Sequence, residues 1–312
     1  MKRSFWMVVV CSMALVLSVP GQTGAEVKPA DDPAAGTGIL ARSSGGPDDF
    51  GYRFQDSAAG EGCEAISNFV DITASGTAAT LDDYDDGHGG PFPMGFSFPF
   101  YGNTYDEFFV GSNGTIYFVD EYLGLGNTCL PDSNGYGVNR FIALYWDDLV
   151  VDDTNGGVYY QTFSDCPVGG GQCTVIQYHT TYRYGVTDPM EFEAILYPDG
   201  TILFIYQDPS NGSSSYDNGA SATVGIQDNE QTTPQYALQY SCNAASLSPG
   251  LAVAFAPPAA QDTNGGLLIC QAAAVTPTPL AAPGVPATGR IGLLLFLLTV
   301  AGTALLMLRR TA

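Results

Sequence analysis

The stretch Gly95 to Gly114, GFSFPFYGNTYDEFFVGSNG, restricts this chain to β structure. Phe96, Phe98 and Phe100 fall on alternate positions, the period of a strand with one buried face. Pro99 lacks the N–H that a central strand needs, so the strand belongs at a sheet edge or ends there. Gly102-Asn103 predicts a turn, because both residues tolerate positive φ. Asn113-Gly114 lies between Phe109-Val110 and Ile116 to Val119, a strong two-residue hairpin signal. The aromatic residues here predict a β core, and nothing in the stretch is chemically reactive.

The same texture continues on both sides. Strands are expected near Phe69–Ala74, Glu107–Gly111, Thr115–Val119, Phe141–Trp146 and Val158–Phe163, and again near Thr174–Thr181, Glu191–Tyr197 and Thr201–Gln207. Three more follow near Ala222–Gln227, Tyr236–Tyr240 and Leu251–Phe255. The clearest hairpin is Glu191 to Gln207, with Pro198-Asp199-Gly200 as its turn. No helix of ordinary length declares itself between the two ends. Many short strands at close spacing predict an all-β, antiparallel, jelly-roll-like β-sandwich over residues 46–258.

The ends differ from this middle. Lys2 and Arg3, the apolar run Phe5–Val19 and Thr23-Gly24-Ala25 have the three parts of a secretory signal peptide, residues 1–25. Residues 26–45 are rich in Pro, Ala, Gly and Asp and read as a disordered lead-in. Residues 259–288 form a Pro/Ala-rich stalk, in which Thr276-Pro277-Thr278-Pro279 favours an extended chain. Residues 289–312 hold an unbroken apolar run, Ile291–Leu308, closed by Arg309 and Arg310. At about 1.5 Å per residue that run spans about 27 Å as a helix, close to one bilayer core. The arginines place its end on the cytoplasmic side, so the acidic domain stays outside. An exported, cell-surface protein anchored through the membrane by this helix follows.

Charge and cysteine agree with export. Between the two ends only Lys28, Arg42, Arg53, Arg140 and Arg183 stand against all 32 acidic residues. Such a surface repels nucleic acid and anionic lipid and suits a solvated domain that collects divalent cations. Cys11 leaves with the signal peptide, and six cysteines remain: Cys63, Cys129, Cys166, Cys173, Cys242 and Cys270. An even count in an exported chain reads as disulfides. Cys166 and Cys173 bracket PVGGGQ between two strand-like runs and are the first pair expected. The absence of C-x-x-C, with only His88 and His179 available, argues against zinc.

Two parts of the chain carry resemblances. GPDDFGYRFQDS, MGFSFPFYGNTYDEFFVGSNGTIYF, FIALYWDDL and ATVGIQD resemble the bacterial secreted relatives of the nidogen-like (NIDO) extracellular domain. The shared order is Phe98–Phe118, then Ile142–Asp147, then Gly157–Tyr160. The resemblance implies a β-sandwich-like adhesion or matrix module without catalysis. In the tail, Val285 with Pro286, Ala287, Thr288 and Gly289, the apolar run and Arg309-Arg310 resemble an LPxTG sorting signal with Val for Leu. They are equally similar to IPTL-type C-terminal signals, although the L-S-x-W of that group is missing. Either resemblance implies a sorting or processing protease as a partner. A sortase-like cut would fall between Thr288 and Gly289.

The best chemical candidate is acidic. Asp82, Asp83, Asp85 and Asp86 lie in LDDYDDGHGG, and Asp147-Asp148 follow Trp146. Calcium takes oxygen ligands, which clustered carboxylates on glycine-bearing loops supply. Tyr84 at the middle position rules out an EF-hand, and the expected calcium ligands are Asp82, Asp86 and Asp147. No G-x-S-x-G, H-E-x-x-H or phosphate loop occurs, and His179 reads as a structural strand residue. Tyr178, Tyr182 and Tyr184 offer an aromatic face for sugar or protein. The expected function is a non-catalytic, calcium-stabilised module that binds an extracellular protein or polysaccharide. A secreted hydrolase using paired carboxylates and a structural envelope or matrix component are the alternatives.

Overall fold

The computed structural model describes residues 43–59, 63–132, 140–228 and 235–274. The expected signal peptide and C-terminal helix lie outside these residues, as do Pro286, Thr288, Gly289, Arg309 and Arg310. Among the described residues no helix is long and apolar enough to cross a membrane.

The described chain is two antiparallel sheets packed face to face. Its strands are β1 Ser44–Gly45, β2 Arg53–Asp56, β3 Thr77–Ala78, β4 His88–Phe100 and β5 Asn103–Gly111. Next come β6 Thr115–Tyr117, β7 Phe141–Trp146, β8 Leu149–Val151, β9 Gly157–Phe163 and β10 Cys173–Arg183. Then follow β11 Met190–Leu196, β12 Ile202–Asp208, β13 Thr223–Gln227, β14 Ala237–Cys242 and β15 Leu251–Ala256, and one short helix, α1 Leu268–Ala274, completes the order. The larger sheet runs β1-β2-β15-β12-β11-β10-β9-β3, with β8 also on β10; the smaller runs β14-β13-β7-β6-β5-β4. Consecutive strands β4 to β7 and β9 to β12 form meanders within one sheet. A jelly roll would instead alternate between the two.

The inner core follows the aromatic alternation. Phe98, Phe100, Phe108, Ile116 and Leu144 of the smaller sheet meet Tyr178, Phe192, Phe204 and Phe255 of the larger. Tyr178 is fully buried rather than part of an exposed aromatic face, and its hydroxyl donates to Gly111 O at 2.8 Å and Thr115 O at 2.9 Å. β4 is the edge strand that Pro99 called for, and Pro91 and Pro93 likewise have no N–H to offer a further strand. The β4–β5 turn is Tyr101-Gly102, one residue earlier than expected. Both residues have positive φ, 46° and 82°, which matches the right-handed twist of a two-residue hairpin. At the β11–β12 hairpin Gly200 N–H donates to Tyr197 O at 2.9 Å, with Pro198 and Asp199 at the corner as expected.

Both sheets are apolar on their outer faces too. β12 and β15 are continuous apolar runs, so Leu203, Ile205, Ala252 and Ala254 point away from the inner core. A turn at Cys63–Ile66, a strap from Ser67 to Gly76 that ends in a turn at Thr73 to Ser75, and residues 258–270 cover that face, with Ile66, Ile72, Leu267 and Cys270 buried against it. The Cys63–Cys270 disulfide closes this cover. The domain therefore runs past residue 258, because its last segment returns over the sheet rather than leaving as a stalk.

Phe69–Ala74, expected as a strand, has no ladder partner because it crosses the sheet face. Its Val70 and Ile72 N–H groups donate instead to Glu193 Oε1 at 2.9 Å and Gln177 Oε1 at 2.8 Å. On the smaller sheet, Tyr117, Phe141, Ala143 and Trp146 form an outer cluster roofed by Leu123, with Tyr122 and Leu130 packed against it. Trp146 Nε1 donates to Gly124 O at 3.0 Å, and Cys129–Cys242 ties this roof to β14. Cys166–Cys173 closes a short loop between β9 and β10, the pairing expected from the sequence.

Replacing Cys129 and Cys242 together by Ser should lower stability by up to about 5 kcal/mol, since the bond joins residues 113 apart in sequence. Urea unfolding under non-reducing conditions measures this, and an unchanged midpoint would show that the roof holds without the bond.

Candidate functional site

Three loops converge at one end of the sandwich: residues 81–88, the Ser112–Gly114 turn and Asp147-Asp148. The first is shaped by its own carboxylate. Asp82 Oδ1 accepts the N–H of Asp83 at 2.9 Å and of His88 at 2.6 Å, and these bonds hold its carboxyl below the ordinary range. Gly87 is required where the loop doubles back, because a Cβ there would lie 2.4 Å from the backbone of Asp83. Ser112 then fastens the loop. Its hydroxyl donates to Asp85 O, and its Oγ accepts Gly87 N–H at 3.1 Å.

Asn113 joins all three loops. Its Nδ2 donates to Asp86 Oδ1 at 3.1 Å and to Tyr122 Oη at 2.9 Å, while its Oδ1 accepts Leu149 N–H at 2.7 Å. The Asn-Gly pair signals a hairpin in the sequence, but nothing local in the sequence marks this bridging role. Gly114, at φ +72°, lets the turn pass where a Cβ would sit 2.2 Å from Tyr145 O. His88 stacks on Tyr122 with centroids 5.8 Å apart, and its Nε2 lies 3.0 Å from Asp120 Oδ1.

The structure separates the three expected calcium ligands. Asp82 serves its own loop. Asp147 is buried and turned inward, accepting Ser221 Oγ–H and Asp148 N–H, with Arg183 Nε at 3.6 Å; burial pushes its carboxyl upward. Only Asp86 faces the convergence, where it is joined by Asp85 and Asp148. Carboxylate oxygens of these three lie within 4.8 Å of one another. Two oxygens bound to one calcium at about 2.3–2.6 Å each are up to about 5 Å apart, so the spacing fits such an ion. Asp85 Oδ1 is buried without a hydrogen-bond partner among the described residues, and burial followed by the charges of Asp86, Asp148 and Asp83 raises its carboxyl. Arg183 approaches Asp148 Oδ2 at 3.2 Å and lies over the Tyr216 ring at 4.3 Å, which fixes the Asp148 side of the cluster.

Beside the cluster is a shallow depression of about 430 Å³, lined by Asp83, Tyr84, Asp85, Val150, Val151, Asp152, Asp153 and Tyr182. Of the three tyrosines expected to form a contact face, Tyr182 lines it and Tyr184 is 57% exposed close by in the chain. His179 is on the outer face of the larger sheet, where its Nδ1 meets both oxygens of Glu191 at 2.9 and 2.8 Å.

Asn113→Ala should cost about 2–3 kcal/mol, because it strands the buried Leu149 N–H and frees Asp86 and Tyr122. The readouts are denaturant unfolding and the Leu149 amide resonance. A stability change within about 0.5 kcal/mol would deny Asn113 the bridging role.

No solved structure matches this chain. A family model described as NIDO related matches residues 63–263, from the first cysteine of the outer cover to beyond β15. That match takes in the smaller sheet, the larger sheet apart from β1 and β2, the three converging loops and most of the outer covers, and by it the chain belongs to the NIDO-related family.

Proposed function

We propose that this protein is a non-catalytic binding module of the cell surface, which meets an extracellular protein or polysaccharide through the three-loop end of its sandwich. Calcium bound by Asp85, Asp86 and Asp148 braces that end. The convergence of the three carboxylates beside the depression carries this reading. A divalent cation there relieves the mutual repulsion of the carboxylates and locks the 81–88 loop to the turn after β7. Tyr84 and Tyr182 then present ring surface next to ordered oxygens, a combination that suits a sugar or a polar protein loop. The family and the three disulfides mark an extracellular type of domain. Export by residues 1–25, and anchoring by 289–312 unless the tail is removed by a cut between Thr288 and Gly289, complete the proposal.

Thermal unfolding in EDTA and then in millimolar calcium tests the brace. A ligand that binds only the folded state at 100 times its Kd adds about 2.7 kcal/mol, which is about 5–10 °C for a domain of this size. The gain should vanish in Asp86→Asn and Asp148→Asn and persist in Asp82→Asn. Equal midpoints with and without calcium would remove the ion from the proposal. Glycan-array and pull-down binding should weaken in Tyr182→Ala, whereas turnover of a polysaccharide would overturn the non-catalytic reading.

A further inference from the structure

The strap Ser67–Gly76 crosses the larger sheet without joining its ladder, and its backbone is held by side chains that rise from the sheet. Glu193 takes Val70 N–H, and Gln177, directly opposite Glu193 in the β10–β11 register, takes Ile72 N–H. Gln177 Nε2 in turn donates to Glu191 Oε1 at 2.6 Å, and Glu191 holds His179. Glu193 is fully buried, and its Oε2 has no hydrogen-bond partner among the described residues.

We infer that the strap is a proton-controlled latch, closed when Glu193 carries a proton and loosened when it ionises. With the proton on Oε2, Oε1 is a neutral carbonyl acceptor for Val70, and the site holds no net charge of its own. Ionisation leaves a carboxylate with one backbone N–H partner and no cation bonded to it among the described residues, which a buried site tolerates poorly.

The titratable groups around it are Glu191 on β11, Asp71 on the strap, His179 on β10 and Tyr197 just beyond β11; β12 presents apolar Leu203 and Ile205. Burial first, then the charges of Glu191 and Asp71, hold the Glu193 carboxyl well above its ordinary range. The strap is the cover that can yield. Among the described residues its side-chain bonds to the sheet include those at Val70 and Ile72, one between Asp71 and Gln177, and one from Ser75 Oγ to Gln161 Oε1 at 2.7 Å. Lifting it admits water to Glu193 and uncovers Val175 and Ile195 on the sheet face.

The sign follows from linkage. An acid with a raised folded pKa keeps its proton in the closed state. Closure is therefore most stable below the ordinary Glu value of about 4.3 and weakens as pH rises through the folded value. Amide hydrogen exchange of the strap in the full chain, corrected for intrinsic rates, reads the opening directly. Protection at Val70 and Ile72 should be lower at about pH 8 than at about pH 5, falling by at most about tenfold per pH unit until the folded value is passed. Glu193→Gln keeps the acceptor and removes the charge, and should flatten the profile. Asp71→Asn removes one repelling charge and should shrink the fall. Equal protection at both pH values overturns the latch. So does a fall that persists unchanged in both variants, which would place the titration on a group other than Glu193. Neither result bears on calcium at the other loops, which does not involve Glu193.

Discussion

The central strands of this domain are apolar on both faces, and that constraint shapes everything outside them. A sandwich normally buries one face of each sheet and leaves the other to water. Here β7, β12 and β15 put Phe141, Trp146, Leu203, Ile205 and Ala254 on the outside, so each sheet needs a second cover. Non-repetitive chain supplies both covers. Such chain has backbone polar groups with no ladder to join, and buried ones must find other partners. Glu193, Gln177 and the Tyr117 hydroxyl meet that need by accepting N–H groups of Val70, Ile72 and Leu123. The Cys63–Cys270 and Cys129–Cys242 disulfides then reduce the entropy that loose covers would regain on opening.

Much of the inner layer was legible in the sequence, because period-two alternation and turn chemistry are local signals. Phe96 to Phe100 and Pro198-Asp199-Gly200 appear where their spacing puts them, and Asn113-Gly114 does turn the chain between β5 and β6, in a three-residue loop with Ser112 rather than the two-residue one expected. The outer layer was not legible. The apolar runs of β12 and β15 have no alternation, so they say only that both faces are buried, not what buries them. Phe69–Ala74 has a strand's composition, yet its partners are side chains more than 100 residues away. Residues 259–274 read as a spacer by composition, and their return over the sheet depends on Cys270 finding Cys63.

The loop end shows the same division. The acidic composition of 82–86 and 147–148 drew attention to the right region, but not to the right atoms. Within each loop, the hydrogen bonds a carboxylate accepts decide whether it is left facing the others. Asp147 goes to Ser221 and Arg183, Asp82 to the backbone of its own loop, and Asp85, Asp86 and Asp148 are what remain facing one another. Asn113 was visible only as a turn former, because its work is done through three residues that no short motif contains. Acidic loops set on a rigid, doubly covered sandwich keep a fixed spacing, which a binding end requires.

The claim that the outer covers belong to the fold is tested most directly by shortening the chain to end at Pro258 and comparing its unfolding with that of a chain ending at Ala274. With the cover integral, the shorter chain should bind a hydrophobic dye before unfolding, through the uncovered Val175, Ile195 and Leu203 face, and its unfolding midpoint should drop sharply. Equal midpoints without dye binding would contradict it, and residues 259–274 would then be a spacer resting on a domain complete without them.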